Sequence, residues 1–214
     1  MNRFAWDFRG ENVSPDISGV YILGNYRSHR VAPGKYKARF IYKSDSAETE
    51  LEILQDPNLH ATAADWNEQQ QFLTRVEKNI IEIHTAVNDM RKVKKQIESY
   101  NDLLKSSTEN KDLVDAGKQL IDKINKWEAE LVETRQKNFQ DVINWPSKLS
   151  SGFMNLKILA DSHDPRITQG LKDVLSDLEK EWAKYKQVRV DELMKDVDAY
   201  NAKFKSKNLP AILL

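Results

Sequence analysis

The four histidines of this 214-residue chain are the side chains best suited to binding a metal or moving a proton at neutral pH. They are His29, His60, His84 and His163. None has the H-x-x-x-H spacing that places two metal ligands on one helix face. A di-iron bundle would need E-x-x-H, and Glu82 and His84 are too close together for it. The sequence therefore predicts structural or surface histidines, with no metal site and no cofactor.

Neighbouring carboxylates could serve as general acid and base, as in Asp177, Glu179 and Glu181. A catalytic pair needs a shaped cleft that shifts one of the two pKa values, whereas these residues lie among lysines on a predicted helix. The G-x-S-x-G elbow of serine hydrolases and the glycine-rich phosphate loops are absent. We therefore predict that the chain is not an enzyme.

Five tryptophans could either stack on sugar rings or fill a core. Trp66, Trp127 and Trp182 fall in helical apolar stripes, and Trp6 falls in a strand-like alternation. Trp145 lies beside a predicted helix break instead. It is the one residue that we predict as a ligand or partner contact.

The bulk composition narrows the classes of partner. The 33 basic and 33 acidic residues cancel, whereas nucleic-acid and anionic-membrane binding depend on a clustered basic excess. The absence of cysteine excludes disulfides and thiolate metal sites, and no apolar run approaches the 18 residues of a membrane span. The first ten residues have no signal-peptide pattern. We expect either a cytoplasmic protein or a piece of a longer, exported one.

A long helix is the element around which the chain is organised. Apolar residues recur at spacings of three and four from Trp66 to Leu104, which predicts an amphipathic helix, and Thr62 or Asp65 is a suitable N-cap. Such a helix is unstable in water unless other elements cover its stripe.

Three further helices supply that cover. The second carries a stripe from Leu113 to Leu131, and the third begins after Pro146 and uses Leu149, Phe153, Leu156 and Leu159. The fourth runs from an Asp164 cap and Pro165, through Ile167, Leu171, Val174, Leu178 and Trp182, to an end at residues 208–210. Short connections favour an antiparallel four-helix bundle over residues 59–214.

Residues 1–58 show the two-residue period of strands instead. Phe4, Trp6 and Phe8 alternate with polar residues, and stretches 36–42 and 48–54 read as two strands of a hairpin. Because a sandwich needs about seven strands, this part is predicted to be a partial β-sandwich. The predicted fold class is α+β, mainly α.

Three stretches carry a family resemblance: NRFAWDFR at residues 2–9, VAPGKYKARF at 31–40 and LEILQDPN at 51–58. Together they resemble the C-terminal region of bacterial sortilin-like, BNR-repeat glycosyl-hydrolase-type β-propeller proteins. That region combines an Ig- or fibronectin-like β module with a helical segment. Residues 11–30 form an insert relative to the family pattern, and the propeller's Asp-box repeats are absent.

The resemblance implies a non-catalytic accessory, scaffold or protein-interaction region of a larger, exported parent, located in the periplasm or outside the cell. The upstream β-propeller of that parent would be its partner. A hydrolase activity or carbohydrate site built around Trp145 is the second hypothesis. A self-associating helical protein, such as a homodimer, is the third, because Lys94 and Asn101 occupy core-like positions that can set helix register.

Overall fold

The computed structural model describes residues 3–10 and 14–207. Two strands are followed by helices that pack around one hydrophobic core. The elements are β1 (Gly34–Tyr42), β2 (Asp45–Ile53), α1 (Ala63–Leu104), α2 (Lys111–Leu131), α3 (Leu149–Ala160), α4 (Gln169–Val188) and α5 (Met194–Ser206). The predicted α+β, mainly α class is confirmed.

Helix α1 begins and buries its stripe as predicted. The Thr62 hydroxyl accepts a hydrogen bond from the Asp65 amide, and the Asp65 carboxylate accepts one from the Thr62 amide, which completes a capping box. Leu73, Ile83 and Met90 are among the stripe residues that are fully buried. Helices α2, α3 and α4 all pack against α1, and α5 packs against α2.

The connection between α2 and α3 is longer than a helix break. Helix α2 ends at Leu131, and residues 132–148 form an irregular segment that contains one short 3-10 helix, Phe139–Ile143. Helix α3 buries Leu149, Phe153 and Leu156 as predicted. The assignment of Leu159 to the core was wrong, because Ala160 occupies the buried position at that end of the helix.

The fourth predicted helix is a continuous rod with an irregular turn. Helices α4 and α5 are joined by a π-helical turn, Arg189–Leu193. The N-cap prediction for Asp164 was wrong: Thr168 caps α4 by accepting a hydrogen bond from the Leu171 amide. Val174 is exposed, and its neighbour Leu175 is buried in its place. The predicted end at residues 208–210 lies outside the described residues.

The hydrophobic core extends beyond the helices. Trp127 and Trp182 are each 4% exposed, as their stripes predict. Ile17 and Ile22, from the segment before the hairpin, belong to the same buried cluster. Part of residues 1–58 therefore packs on the helices, and the division at residue 58 stays a prediction about domain organisation.

The hairpin is confirmed, but the third strand is not. Tyr36 pairs with Leu51 and Phe40 with Ala47 in an antiparallel register. Residues 3–9 contribute only one isolated bridge, between Arg9 and Arg30. Phe8 has a φ of 60°, a left-handed conformation that a strand cannot contain, so the predicted ladder is interrupted there. Within the described residues the β part is a two-stranded sheet rather than half a sandwich.

Candidate functional site

His84 is the histidine whose surroundings most resemble those of a catalytic base. Its Nε2 lies 2.7 Å from Ser150 Oγ, and its Nδ1 lies 2.7 Å from Ser14 Oγ and 2.9 Å from the Pro15 carbonyl oxygen. Because a carbonyl only accepts, Nδ1 donates to Pro15, and Nε2 accepts from the Ser150 hydroxyl. The distance is within the range of a serine activated by a histidine.

Unlike the side chains of an accessible active site, the histidine and serine of this cluster are buried. His84 and Ser150 are both 0% exposed, so neither side chain is in contact with solvent. Burial lowers the pKa of His84, against smaller opposing effects of the Pro15 hydrogen bond and the Asp16 charge. A neutral His84 fits the hydrogen bonds it makes. The cluster joins the segment around Ser14 to α1 and α3.

A second buried network joins residues 25–29, which also precede the hairpin, to α1 and α3. Glu77 accepts hydrogen bonds from the His29 amide at 2.6 Å and His29 Nδ1 at 2.9 Å, and its Oε1 lies 2.9 Å from Lys157 Nζ. Lys157 also donates to the carbonyl oxygens of Asn25, at 3.1 Å, and Arg27. Burial raises the pKa of Glu77, but the hydrogen bonds and charges of His29 and Lys157 together lower it by more, so the pKa is below its ordinary value. An ionised Glu77 therefore holds residues 25–29 against the helices.

Trp145 is half-buried beneath a cation. The Arg135 guanidinium carbon lies 4.0 Å from the centre of its ring, and Glu133 holds that guanidinium through bonds of 2.7 and 2.5 Å. A sugar that stacked on this ring face would have to displace Arg135. Trp145 as a ligand or partner contact stays a prediction.

The other sequence candidates do not converge. His60 and His163 are exposed at separate positions. Glu179 accepts hydrogen bonds from Arg75 and Asn79 of α1. Among residues 3–10 and 14–207, no three His, Asp or Glu side chains are grouped as metal ligands.

Phe4, in the N-terminal segment, is 88% exposed, and the hairpin carries two further exposed aromatic side chains on a regular sheet face. One of its faces, here called the aromatic face, is defined by the register of the two strands. It consists of Tyr36, Ala38, Phe40 and Tyr42 on β1 with Ala47, Thr49, Leu51 and Ile53 on β2. Near the base, Trp6 contacts Tyr36 edge-on, with ring centres 6.1 Å apart. Further out the face is bare: Phe40 is 69% exposed and Tyr42 is 59% exposed.

The opposite face of the hairpin is mainly charged, and Ile41 near the turn is 66% exposed on it. Cations on β1 stand directly across from carboxylates on β2. The pairs are Lys35 with Glu52, Lys37 with Glu50, and Arg39 with Glu48. This surface is here called the charged face. A sheet with one apolar and one charged face normally packs its apolar face against another element.

A groove of about 220 Å³ continues the aromatic face toward the helices. Phe8, Ile53 and Trp66 contribute apolar walls, and Asp161 lies at its edge. Arg9 Nη1 is 2.5 Å from Asp161 Oδ2, and both side chains are nearly buried. This ion pair attaches the N-terminal segment to the end of α3, beside the base of the hairpin.

Sequence reasoning missed the buried polar groups, although their positions carry a signal. Glu77, His84 and Lys157 each lie three or four residues from fully buried stripe positions such as Ile80 and Phe153. A polar residue inside an apolar stripe predicts a buried hydrogen-bonded group. Its partners lie in a distant segment, which the stripe alone does not identify.

Comparison with protein families, curated proteins and solved structures gave no match. The resemblance to the C-terminal region of sortilin-like and BNR-repeat propeller proteins therefore stays a prediction. No helix in the described ranges is long and apolar enough to cross a membrane.

Proposed function

We propose that this chain is a non-catalytic accessory region that binds a neighbouring protein domain through the aromatic face of its hairpin. The observation that carries the proposal is the contrast between the two parts of the structure. The helices bury most of their stripe residues together with Trp127 and Trp182, while Phe40 and Tyr42 remain exposed on an otherwise regular sheet face.

The energetics favour a partner for this face. A two-stranded hairpin is marginally stable in water by itself, and strands of nine residues exceed the usual five or six. Covering an aromatic side chain such as Phe40 or Tyr42 contributes about 1.5 to 3 kcal/mol. A domain that covered both would stabilise the hairpin and gain binding energy from the same contacts.

The nature of the parent protein is a further part of this proposal. In the form that the resemblance suggests, the neighbouring domain is a β-propeller of a larger exported protein. The support for this part is the set of resembling residues alone, which includes residues 31–40 at the start of β1. The buried state of Ser150 and His84 supports the non-catalytic part.

Site-specific photo-crosslinking tests the proposal. A benzophenone amino acid at Phe40 in the cells that make the protein should form one discrete adduct, attached within a β-sheet domain. The matched control places the same group at Phe139, which is 51% exposed but lies in the short 3-10 helix between α2 and α3. Equal adducts from both positions, no adduct from Phe40, or attachment outside a β-sheet domain would each contradict the proposal.

A further inference from the structure

The free edge of β1 is the part of the hairpin whose chemistry specifies a partner. Tyr42 and Asp45 flank a two-residue turn, and Lys43 has the positive φ of 53° found at the first central residue of a type II′ turn. In such a hairpin the flanking pair exchanges its backbone hydrogen bonds, and alternate residues point theirs outward. The outward backbone groups of β1 thus belong to Lys35, Lys37, Arg39 and Ile41. Residues 37–42 are all exposed, and in the described ranges β1 pairs with β2 only.

We propose that the outer edge of β1 binds an extended strand in which carboxylates alternate with apolar residues. A strand added there places its carboxylates opposite Lys35, Lys37 and Arg39. Its apolar residues lie beside Phe40 and Tyr42 on the aromatic face, because side chains alternate with a period of two. The inference rests on the proposed function and names the chemistry of the partner.

The inner edge of β1 already binds a strand of this kind. In β2, Glu48, Glu50 and Glu52 alternate with Thr49 and Leu51, and Arg39 Nε donates to Glu48 Oε1 at 2.6 Å. A strand at the outer edge of β1 would lie beside the same cations and the same aromatic side chains. Lys37 and Arg39 are 66% and 63% exposed, so each has room for a second carboxylate.

The two edges are not equivalent. The large apolar side chains of the outer half, Phe40 and Tyr42, lie on β1, whereas β2 offers Ala47 and Thr49 there. A strand beside β1 therefore covers more apolar surface than one beside β2.

Charge also disfavours a symmetric dimer. Pairing β1 with β1 of a second copy would place three cations against three cations, and pairing β2 with β2 would oppose three carboxylates. Pairing β1 with β2 of another copy matches the charges but leaves free edges at both ends, which gives open-ended ribbons. A separate acidic strand satisfies the edge without polymerisation.

A peptide with the sequence of β2 tests the inference directly. We expect the fluorescence anisotropy of the labelled peptide to rise with the concentration of the full chain at low salt. A control peptide with its three glutamates replaced by lysine should bind at least about tenfold more weakly, because three opposite-charge pairs become like-charge pairs. Added salt should weaken the first interaction.

A charge-swapped chain locates the binding edge. The variant carries K35E, K37E and R39E together with E48K, E50K and E52K, so its cross-strand pairs and net charge are retained. It should prefer the lysine peptide, with the affinity ratio inverted. Urea unfolding of both chains establishes that the variant folds, and a variant that unfolds early is replaced by the single swap R39E with E48K.

Three results would overturn the inference: no binding of the β2 peptide, a preference of the unmodified chain for the lysine peptide, or ribbons of this chain in sedimentation at micromolar concentration. The failures are distinguishable from failure of the proposed function. A β-sheet domain that crosslinks to Phe40, while the peptide does not bind, keeps the proposed function and rejects pairing at this edge.

Discussion

Replacement of Lys157 by methionine is the most severe test of the buried polar network. Lys157 is 3% exposed, and its ammonium group contacts Glu77 Oε1 at 2.9 Å and the Asn25 carbonyl at 3.1 Å, in addition to the Arg27 carbonyl. Methionine keeps most of the side-chain length and removes the charge and the donors. The variant leaves a buried carboxylate with His29 as its remaining partner.

The expected loss follows from that geometry. Removing one member of a buried ion pair costs about 3 to 5 kcal/mol, because the other charge stays buried without compensation. With a urea dependence of about 1 to 3 kcal/mol per molar, the unfolding midpoint should fall by about 1 M or more. Fluorescence of the buried Trp127 and Trp182 reports the transition.

Lys186→Met is the matched control. Lys186 Nζ lies 2.7 Å from Glu82 Oε2, but its side chain is 55% exposed, so its loss should cost less than about 1 kcal/mol. Equal losses in the Lys157 and Lys186 variants would refute the conclusion that the network fastens residues 25–29 to the helices.

The pH dependence of the Lys157→Met penalty gives a second check. In the native protein the pKa of Glu77 is below its ordinary value of 4.5, since hydrogen bonds and charges outweigh burial. The ionised Glu77 therefore stabilises the folded protein at pH values above that ordinary pKa, and this contribution is lost as the pH falls through the lowered pKa. In the variant we expect burial to outweigh the remaining bonds from His29, so that the pKa of Glu77 rises and protonation removes its buried charge. The penalty should shrink between pH 7 and pH 5; an unchanged penalty would contradict this reasoning.

Three further substitutions probe the helices. His84→Gln should lower the free energy of unfolding at pH 7. Between pH 7 and pH 5.5, however, the variant should lose less of that free energy than the native chain, because burial lowers the pKa of His84 and the unfolded chain gains the proton first below about 6.5. Equal losses of unfolding free energy in the two chains, measured with urea, would refute this. Gly117→Ala should destabilise the protein by about 1 to 3 kcal/mol, although alanine has the better helix propensity, because a Cβ at this position would lie 2.7 Å from Asn101 Oδ1. A gain in melting temperature would refute this. Thr62→Ala should cost about 0.5 to 2 kcal/mol through loss of the bond to the Asp65 amide and speed hydrogen exchange in the first turn of α1; unchanged exchange would count against the cap.

The features that could be predicted from the sequence depend on local signals. Thr62 and Asp65 form their capping box within one turn of helix, and the stripe of α1 follows from its spacing. The faces of the hairpin follow from two alternating stretches, so Tyr36 and Phe40 share a face as expected, but β2 begins at Asp45 rather than at residue 48, which shortens the turn to two residues and sets the register.

The features that could not be predicted depend on distant partners or on backbone conformation. Asp164 has the residue type of an N-cap, but its carboxylate instead binds Arg166, which lowers the pKa of Asp164 to about 2. The alternation of residues 4–8 looks strand-like, but Phe8 turns left-handed and ends it. Lys157 is buried because Glu77 and the Asn25 carbonyl happen to face it across the core. Similarly, no sequence pattern shows that the aromatic face is left uncovered by its own helices.

Residue-resolved hydrogen exchange of β1 tests most directly whether the hairpin is the binding surface. The comparison is between the isolated chain and the assembly purified from the cells that make it. The amides of Lys37, Arg39 and Ile41, which point outward, should exchange at least about tenfold more slowly in the assembly, while those of α1 stay unchanged. Equal exchange at these three amides, or new protection confined to α4, would contradict a partner at the hairpin.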